Sequence, residues 1–255
     1  MNRSSSDRIG IVTGTSTGIG EAVANELLAR EWSVIGIARR PAPITHPAYR
    51  HVAYDLAGIA ASAADLEREL APLLDRSVAP TRIGLVNNAA VPEGLMPLAA
   101  LDASLLARTY AVNVVAPIWL MGFAVRSSPA NTPLRIVNVS SGAATGGFPG
   151  LAAYGSSKAA LRLAGMSLAS EWDRPPNSDE TRRDAAILSY EPGVVDTDMQ
   201  RHARSRPPDE FPWVTMFKDF AARGVLVAPQ RPAADIVAFL ESDAQPTFAE
   251  RRLRA

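Results

Sequence analysis

One short stretch near the start of the chain limits its fold more than any other. Arg8-Ile9-Gly10-Ile11-Val12-Thr13 is a β-branched run. It ends in Gly14-Thr15-Ser16-Thr17-Gly18-Ile19-Gly20, and residues 21–30 then place apolar side chains at helical spacing. This is strand, glycine turn and helix. Glycines let the main chain come close to a pyrophosphate, and a helix N-terminus offers free N–H groups and a positive dipole end. Gly14, Ser16, Thr17, Gly18, Ile19 and Gly20 are therefore candidate cofactor-binding residues. The same glycines would also serve simply to pack a helix against a sheet.

The pattern then repeats. A second strand over 33–38 ends in Arg39-Arg40. In dinucleotide folds an acid about 20 residues after the glycines holds the ribose 2′-hydroxyl, whereas arginine accommodates a 2′-phosphate. Ala38 takes the acid's place, so Arg39 and Arg40 point to NADP rather than NAD. A third strand is expected over 51–54, closing with Asp55-Leu56, followed by a helix over 61–74. A fourth strand, 83–86, runs into Asn87-Asn88-Ala89-Ala90, where small residues and amides would let a cofactor lie against the strand end. One long helix is expected from 101 to about 126, containing Asn113. A fifth strand over 134–139 ends in Ser140-Ser141, and a Gly-rich turn leads to a helix running to about Trp172. Residues 173–184 read as a solvated polar loop, 185–190 as a sixth strand and 233–240 as a final helix. Strands alternating with helices call for a parallel, doubly wound sheet in one α/β domain, with the ligand across the carboxyl ends of the strands. Gly14, Arg39, Asp55, Asn87, Ser141 and Gly193 all fall at such ends.

On the helix after Ser141, Tyr154 and Lys158 stand one turn apart on one face. A fixed cation favours phenolate over phenol, so the pair reads as an acid/base device with the tyrosine pKa drawn down from its usual value of about 10. Of the 26 basic residues only Lys158 and Lys218 are lysine. A compact point charge on a flexible stem differs chemically from arginine's planar fork, which makes a lysine at 158 notable. Acidic and basic residues balance at 26 each, which leaves no electrostatic footprint for nucleic acid or an anionic membrane. With no cysteine and three scattered histidines, metal and thiol chemistry are not expected. The apolar stretch over 111–125 carries Asn113 and Pro117 and reads as a buried or interface helix, since a membrane span needs roughly 20 apolar residues. The polar start of the chain lacks a signal-peptide core, so a soluble cytoplasmic protein is expected.

Taken together, the motifs resemble the short-chain dehydrogenase/reductase family over nearly the whole chain. The resemblance rests on TGxxxGIG at 13–20, NNA at 87–89, a serine 13 residues before the tyrosine, YxxxK at 154–158 and PGxxxT at 192–197. It implies a Rossmann-type fold, with Tyr154 as catalytic acid/base and Lys158 as its partner, also binding the nicotinamide ribose. Ser141 would hold the substrate oxygen, and Asn113 the water that links Lys158 to solvent. It also implies that Asp55 and Leu56 flank the adenine, that Asn87 and Ala89 line the cofactor, and that Pro192, Gly193, Val195 and Thr197 meet its nicotinamide end. The PGxxDTDMQ wording at 192–200 is closer still to the sepiapterin reductase and benzil reductase branch. An NADPH-dependent reductase of ketones or diketones is the implied activity. A catalytically silent NADP-binding protein is the alternative, against which the complete Asn113, Ser141, Tyr154, Lys158 set argues.

Two departures stand out. Ala90 replaces the family's usual glycine, and the end of the chain lacks a glycine-containing seventh strand, which is expected to be short or absent. Residues 197–230 carry Phe211, Trp213, Met216, Phe217 and Phe220 and read either as a cover over an apolar small-molecule substrate or as helices packing aromatics on the core. Small residues after Tyr154 and the apolar 111–125 stretch suit the helix pairing by which the family forms homodimers or homotetramers.

Overall fold

In a computed structural model the chain is described over residues 7–74, 79–173, 183–243 and 245–253. Seven parallel strands form one sheet in the order β3-β2-β1-β4-β5-β6-β7, where β1 is Arg8–Thr13, β2 Ser33–Ala38, β3 Tyr49–Ala53, β4 Arg82–Asn87, β5 Leu134–Val139, β6 Ala185–Glu191 and β7 Phe248–Arg252. From β1 the chain winds outward through β2 and β3, then returns to lay β4 on the other side of β1. The strand order therefore reverses between β1 and β4, and a crevice opens there at the carboxyl ends.

Alternating side chains feed two cores. Ile9, Ile11, Ile35, Ile37, Ile83 and Leu85 face a cluster completed by α2 (Ile59–Leu74), α4 (Ala116–Ser127) and α5 (Ala152–Trp172), whereas Val12, Val34 and Val86 face α1 (Gly18–Ala29) and α8 (Gln230–Glu241). On this second face Gly10 lets α1 come close: a Cβ there would meet Leu27 Cδ1 at 2.8 Å, so that side chain would have to shift.

Several boundaries differ from expectation for identifiable reasons. β3 starts at Tyr49, two residues early, because Tyr49 packs on the second core and bonds Thr15 through its hydroxyl. α2 starts at Ile59 from a 3₁₀ turn over Leu56–Gly58 and is kinked at Ser62. The long helical region expected over 101–126 is present as a continuous run, α3 (Ala103–Tyr110), a π-turn over Ala111–Val115, and α4. Pro117, near the start of α4, has no N–H to continue the α-helical ladder, and the buried Asn113 pulls the widened turn inward through side-chain bonds to Val91. Taken as one rod of 25 residues, Ala103–Ser127 has the length of a membrane span, and its most apolar 18-residue window has a mean hydropathy of 1.3. Here it carries the π-turn and sends Leu120, Met121, Phe123 and Ala124 into the core. The seventh strand is present and short, five residues paired in parallel with β6. Of the polar loop, residues 174–182 lie outside the described residues.

Candidate active site

Three segments converge on the crevice. The first is the glycine turn. Gly14 and Gly18 adopt φ of +74° and +64°, conformations that favour glycine, and a Cβ on Gly20 would stand 2.3 Å from the Gly14 carbonyl oxygen. The turn is locked to the end of β4: Thr13 Oγ1 accepts the N–H groups of Asn88 and Ala89 at 3.0 and 2.9 Å, and Asn88 Nδ2 donates to Thr13 O at 2.9 Å. The result is a rigid, bare cradle at the N-terminus of α1, whose N-cap residue Thr17 makes no capping bond to the helix with its side chain. A pyrophosphate fits such a cradle.

The second segment is the exit from β6. Gly193 (φ +72°) turns the chain, Val195 forms an isolated parallel bridge to Val227, and Thr197 caps α6 (Asp198–Ser205). A Cβ on Gly18 would meet Thr197 Cγ2 at 3.1 Å, so the two motifs predicted to hold opposite ends of one cofactor lie against each other. Between them Ser16, Thr17, Arg40 and Asp198 line a cleft of about 520 Å³ with Pro41, Ala42 and Pro43.

The remaining cofactor candidates divide. Arg40 lines the cleft, whereas Arg39 is exposed and is not part of its lining. Ala38 is the last residue of β2 and is buried. Asp55 caps the 3₁₀ turn by accepting Ala57 N–H at 3.0 Å, and Arg108 lies 3.9 Å from its other oxygen. Leu56 and Ile19 send their side chains into the two cores. Asn87 also points away from the glycine turn: its Nδ2 donates to Asn138 Oδ1 at 2.9 Å and to Pro117 O at 3.4 Å on the α4 face. Asn88 is the amide that meets the turn, and a Cβ on Gly14 would meet Ala89 Cα and Cβ at 3.1 and 3.3 Å. Alternation along a strand sends consecutive side chains to opposite faces, and that signal was present in the sequence.

The third segment follows β5. Ser141 holds an extended main chain, and its Oγ accepts Ala143 N–H at 3.2 Å. Tyr154 and Lys158 project from the first two turns of α5. Lys158 is 2% exposed; its ammonium donates to Val139 O at 2.8 Å and lies 5.7 Å from the centre of the Tyr154 ring. Asn113 is 1% exposed and braces this helix. Its Oδ1 accepts Val91 N–H at 2.9 Å, and its Nδ2 donates to Val91 O at 3.3 Å and to Ser157 Oγ at 3.1 Å. Ser157 in turn donates to Tyr154 O at 2.7 Å. Sequence reasoning missed Ser157 and Val91 outright, and it placed Thr13 and Asn88 in motifs without naming them as site residues. Each acts through main-chain atoms or as a brace, and none belongs to a residue type that announces chemistry.

The electrostatics correct one expectation. Burial pushes the Tyr154 phenol up to about 12, against a smaller downward pull from Ser141, instead of the lysine drawing it down. Lys158 lies over the ring face with its ammonium on a carbonyl, and burial lowers it from 10.5 to about 8. At neutral pH the pair is a protonated phenol beside a cation.

A small satellite core forms from segments that follow β4, β5 and β6. Phe211, fully buried, joins Val214, Ala203 and Leu95, with Leu151, Trp213 and Phe217 packed around them. It ties α6 and α7 (Val214–Ala222) to the loop after β4 and to the residue preceding α5. Phe148, from the Gly-rich turn, meets Trp213 edge to face at 5.5 Å.

Known proteins resemble this chain over most of its length. Benzil reductase ((S)-benzoin forming) of Bacillus cereus is 28% identical over 244 residues, covering 92% of this chain and 95% of its own, and the Bacillus subtilis protein of the same name is 28% identical over 91% and 92%. Among solved structures, the KRED1-Pglu enzyme superimposes with a TM-score of 0.75 at 28% identity, covering 95% of this chain and all of its own. A Saccharomyces cerevisiae short-chain dehydrogenase/reductase gives 0.79 at 25% identity, covering 95% of each chain. The family profile for short chain dehydrogenases matches residues 8–208. This chain therefore belongs to the short-chain dehydrogenase family of oxidoreductases, whose members bind a nicotinamide cofactor.

Proposed function

We propose that the protein is an NADPH-dependent carbonyl reductase acting on ketones and vicinal diketones. The observation that carries this is the grouping of Ser141, Tyr154 and a buried Lys158 at the carboxyl end of β5, with the bare glycine cradle at the same end of the sheet two strands away, after β1. The likeness to two benzil reductases over nine-tenths of the chain supports it, and Arg40 in the cleft beside Thr17 supports a 2′-phosphate.

When bound, the reduced nicotinamide supplies the hydride. Tyr154 gives its phenolic proton to the oxygen that gains charge. Ser141 Oγ donates a hydrogen bond to the same oxygen. Lys158 keeps a positive charge beside the phenol, so that the phenolate left behind is stabilised as it forms. The Asn113 amide is largely taken up by Val91 and Ser157, so a water relaying protons to Lys158 would be held by the main chain of the π-turn. Gly14, Ser16, Thr17, Gly18 and Gly20 would hold the pyrophosphate, and Val195 and Thr197 the nicotinamide end. Residues 197–230 would cover the substrate, with Phe148 and Trp213 as an apolar wall.

The test is oxidation of NADPH, with NADH in parallel, against benzil, sepiapterin and simple ketones. Turnover of a diketone with NADPH preferred is expected; NADPH binding without turnover across the panel would favour a silent cofactor-binding protein. A Trp213→Ala variant should raise KM for benzil and leave NADPH affinity unchanged. The same proposal includes a cytoplasmic location, where NADPH is available. It also includes a homodimer or homotetramer through α3, the π-turn, α4 and α5, where Leu106, Val115, Ile118 and Leu163 are 39%, 43%, 40% and 61% exposed. A monomer in sedimentation velocity at micromolar concentration would rule that assembly out.

A further inference from the structure

Asp198 places a carboxylate where a phosphate is expected. Its Oδ2 accepts the hydroxyl of Thr17 at 3.1 Å, and it lines the same cleft as Ser16, Thr17 and Arg40. Thr17 is the N-cap residue of α1, yet its hydroxyl is turned to Asp198 and not to the helix it begins. On the other side Arg201 donates to Asp198 Oδ1 at 2.6 Å and to Asp196 Oδ1 at 3.1 Å. Hydrogen bonds from Arg201 and Thr17, and the nearby charge of Arg40, hold this carboxyl below the usual range. It is therefore ionised at any working pH. The cleft thus contains its own anion, paired with the hydroxyl and within the field of the arginine that a phosphate would use.

We infer that Asp198 is a built-in competitor for the cofactor's phosphates, which must displace its hold on Thr17 and share Arg40 with it, so that this side chain sets cofactor affinity and the margin between NADPH and NADH. The inference rests on the NADP reading of Arg40. Two unit charges about 4 Å apart in water interact enough to change affinity about fivefold. Removing the carboxylate should therefore tighten binding, most for the cofactor with the extra phosphate.

Dissociation constants for NADPH and NADH, from nicotinamide fluorescence and calorimetry, test this in the wild type, Asp198→Asn and Asp198→Ser. Both variants keep Thr197 as the cap of α6, and far-UV circular dichroism checks their folding. NADPH is expected to bind about fivefold tighter to each variant, with a smaller gain for NADH. Both gains should shrink in about 0.5 M salt, because exposed charges are then screened, whereas an effect of packing would persist. Unchanged or weaker NADPH binding in both folded variants overturns the inference, since Asp198 would then be neutral or helpful to the cofactor. A wild type that prefers NADH rejects the NADP reading instead, and the variants' effect on NADH then still reports on Asp198 at the pyrophosphate.

Discussion

The two ends of the sheet use cations in opposite ways. At the amino end arginines are tied down. Arg135, fully buried, donates to the carbonyl oxygens of Ser242, Asp243, Leu134 and Asp184 and pairs with the Asp184 carboxylate at 2.8 Å. Arg82 reaches Leu240 O, Ser242 O and Asp243, and Arg8 reaches Glu241. Together they fasten the end of α8 to the strand starts. At the carboxyl end Lys158 is nearly as buried but has one carbonyl partner among the described residues, and its pKa has fallen to about 8. The planar fork suits a static clamp with many acceptors, while the point charge stays available to titrate and to respond to the tyrosine beside it. Stability chemistry and reaction chemistry are thus separated along the strand axis.

Exchanging the two cations should break the comparison in a defined order. Lys158→Arg is expected to lower kcat about a hundredfold, because a group that neither titrates nor fits the slot cannot serve the phenol; steady-state assay against benzil checks this. Arg135→Lys should leave activity per folded molecule intact and cost about 2 kcal/mol in urea unfolding, through carbonyl acceptors left unpaired. Arg40→Ala, at neither clamp nor pair, should weaken NADPH binding about tenfold with little change for NADH, measured by fluorescence titration. The smallest effect is in the pH profile. In the free chain Lys158 loses its proton near pH 8 while Tyr154 keeps its own to about 12, so kcat/KM for reduction should decline above about pH 8. For stability the sign is opposite. Between about 8 and 10.5 the unfolded chain binds the Lys158 proton that the folded chain has released, so this residue's destabilising contribution fades as pH rises through that window. Replacing Lys158 by Met should remove that part of the pH dependence of unfolding.

Much of this was legible in the residues because local pattern and tertiary role agree. β1, β2 and β5 run over the expected residues, since each is an apolar stretch bounded by glycine, arginine or serine at a chain reversal. The π-turn was not legible, because it depends on what Asn113 meets across the crevice, 22 residues away in sequence at Val91. The direction of the Tyr154 shift was hidden for the same reason: spacing shows that a lysine is near, but not that its ammonium rests on Val139 O while burial dominates the phenol. Of the arginine pair, sequence proposed both, and only the cleft wall separates Arg40 from Arg39.

The proposed function stands or falls on whether Tyr154 gives the proton in a carbonyl reduction. Single-turnover decay of bound NADPH, on mixing with benzil, tests it in the wild type and Tyr154→Phe after NADPH affinity has been matched in both. Equal affinity is expected, with decay at least about a hundredfold slower in the variant. Equal decay in the two proteins would contradict it.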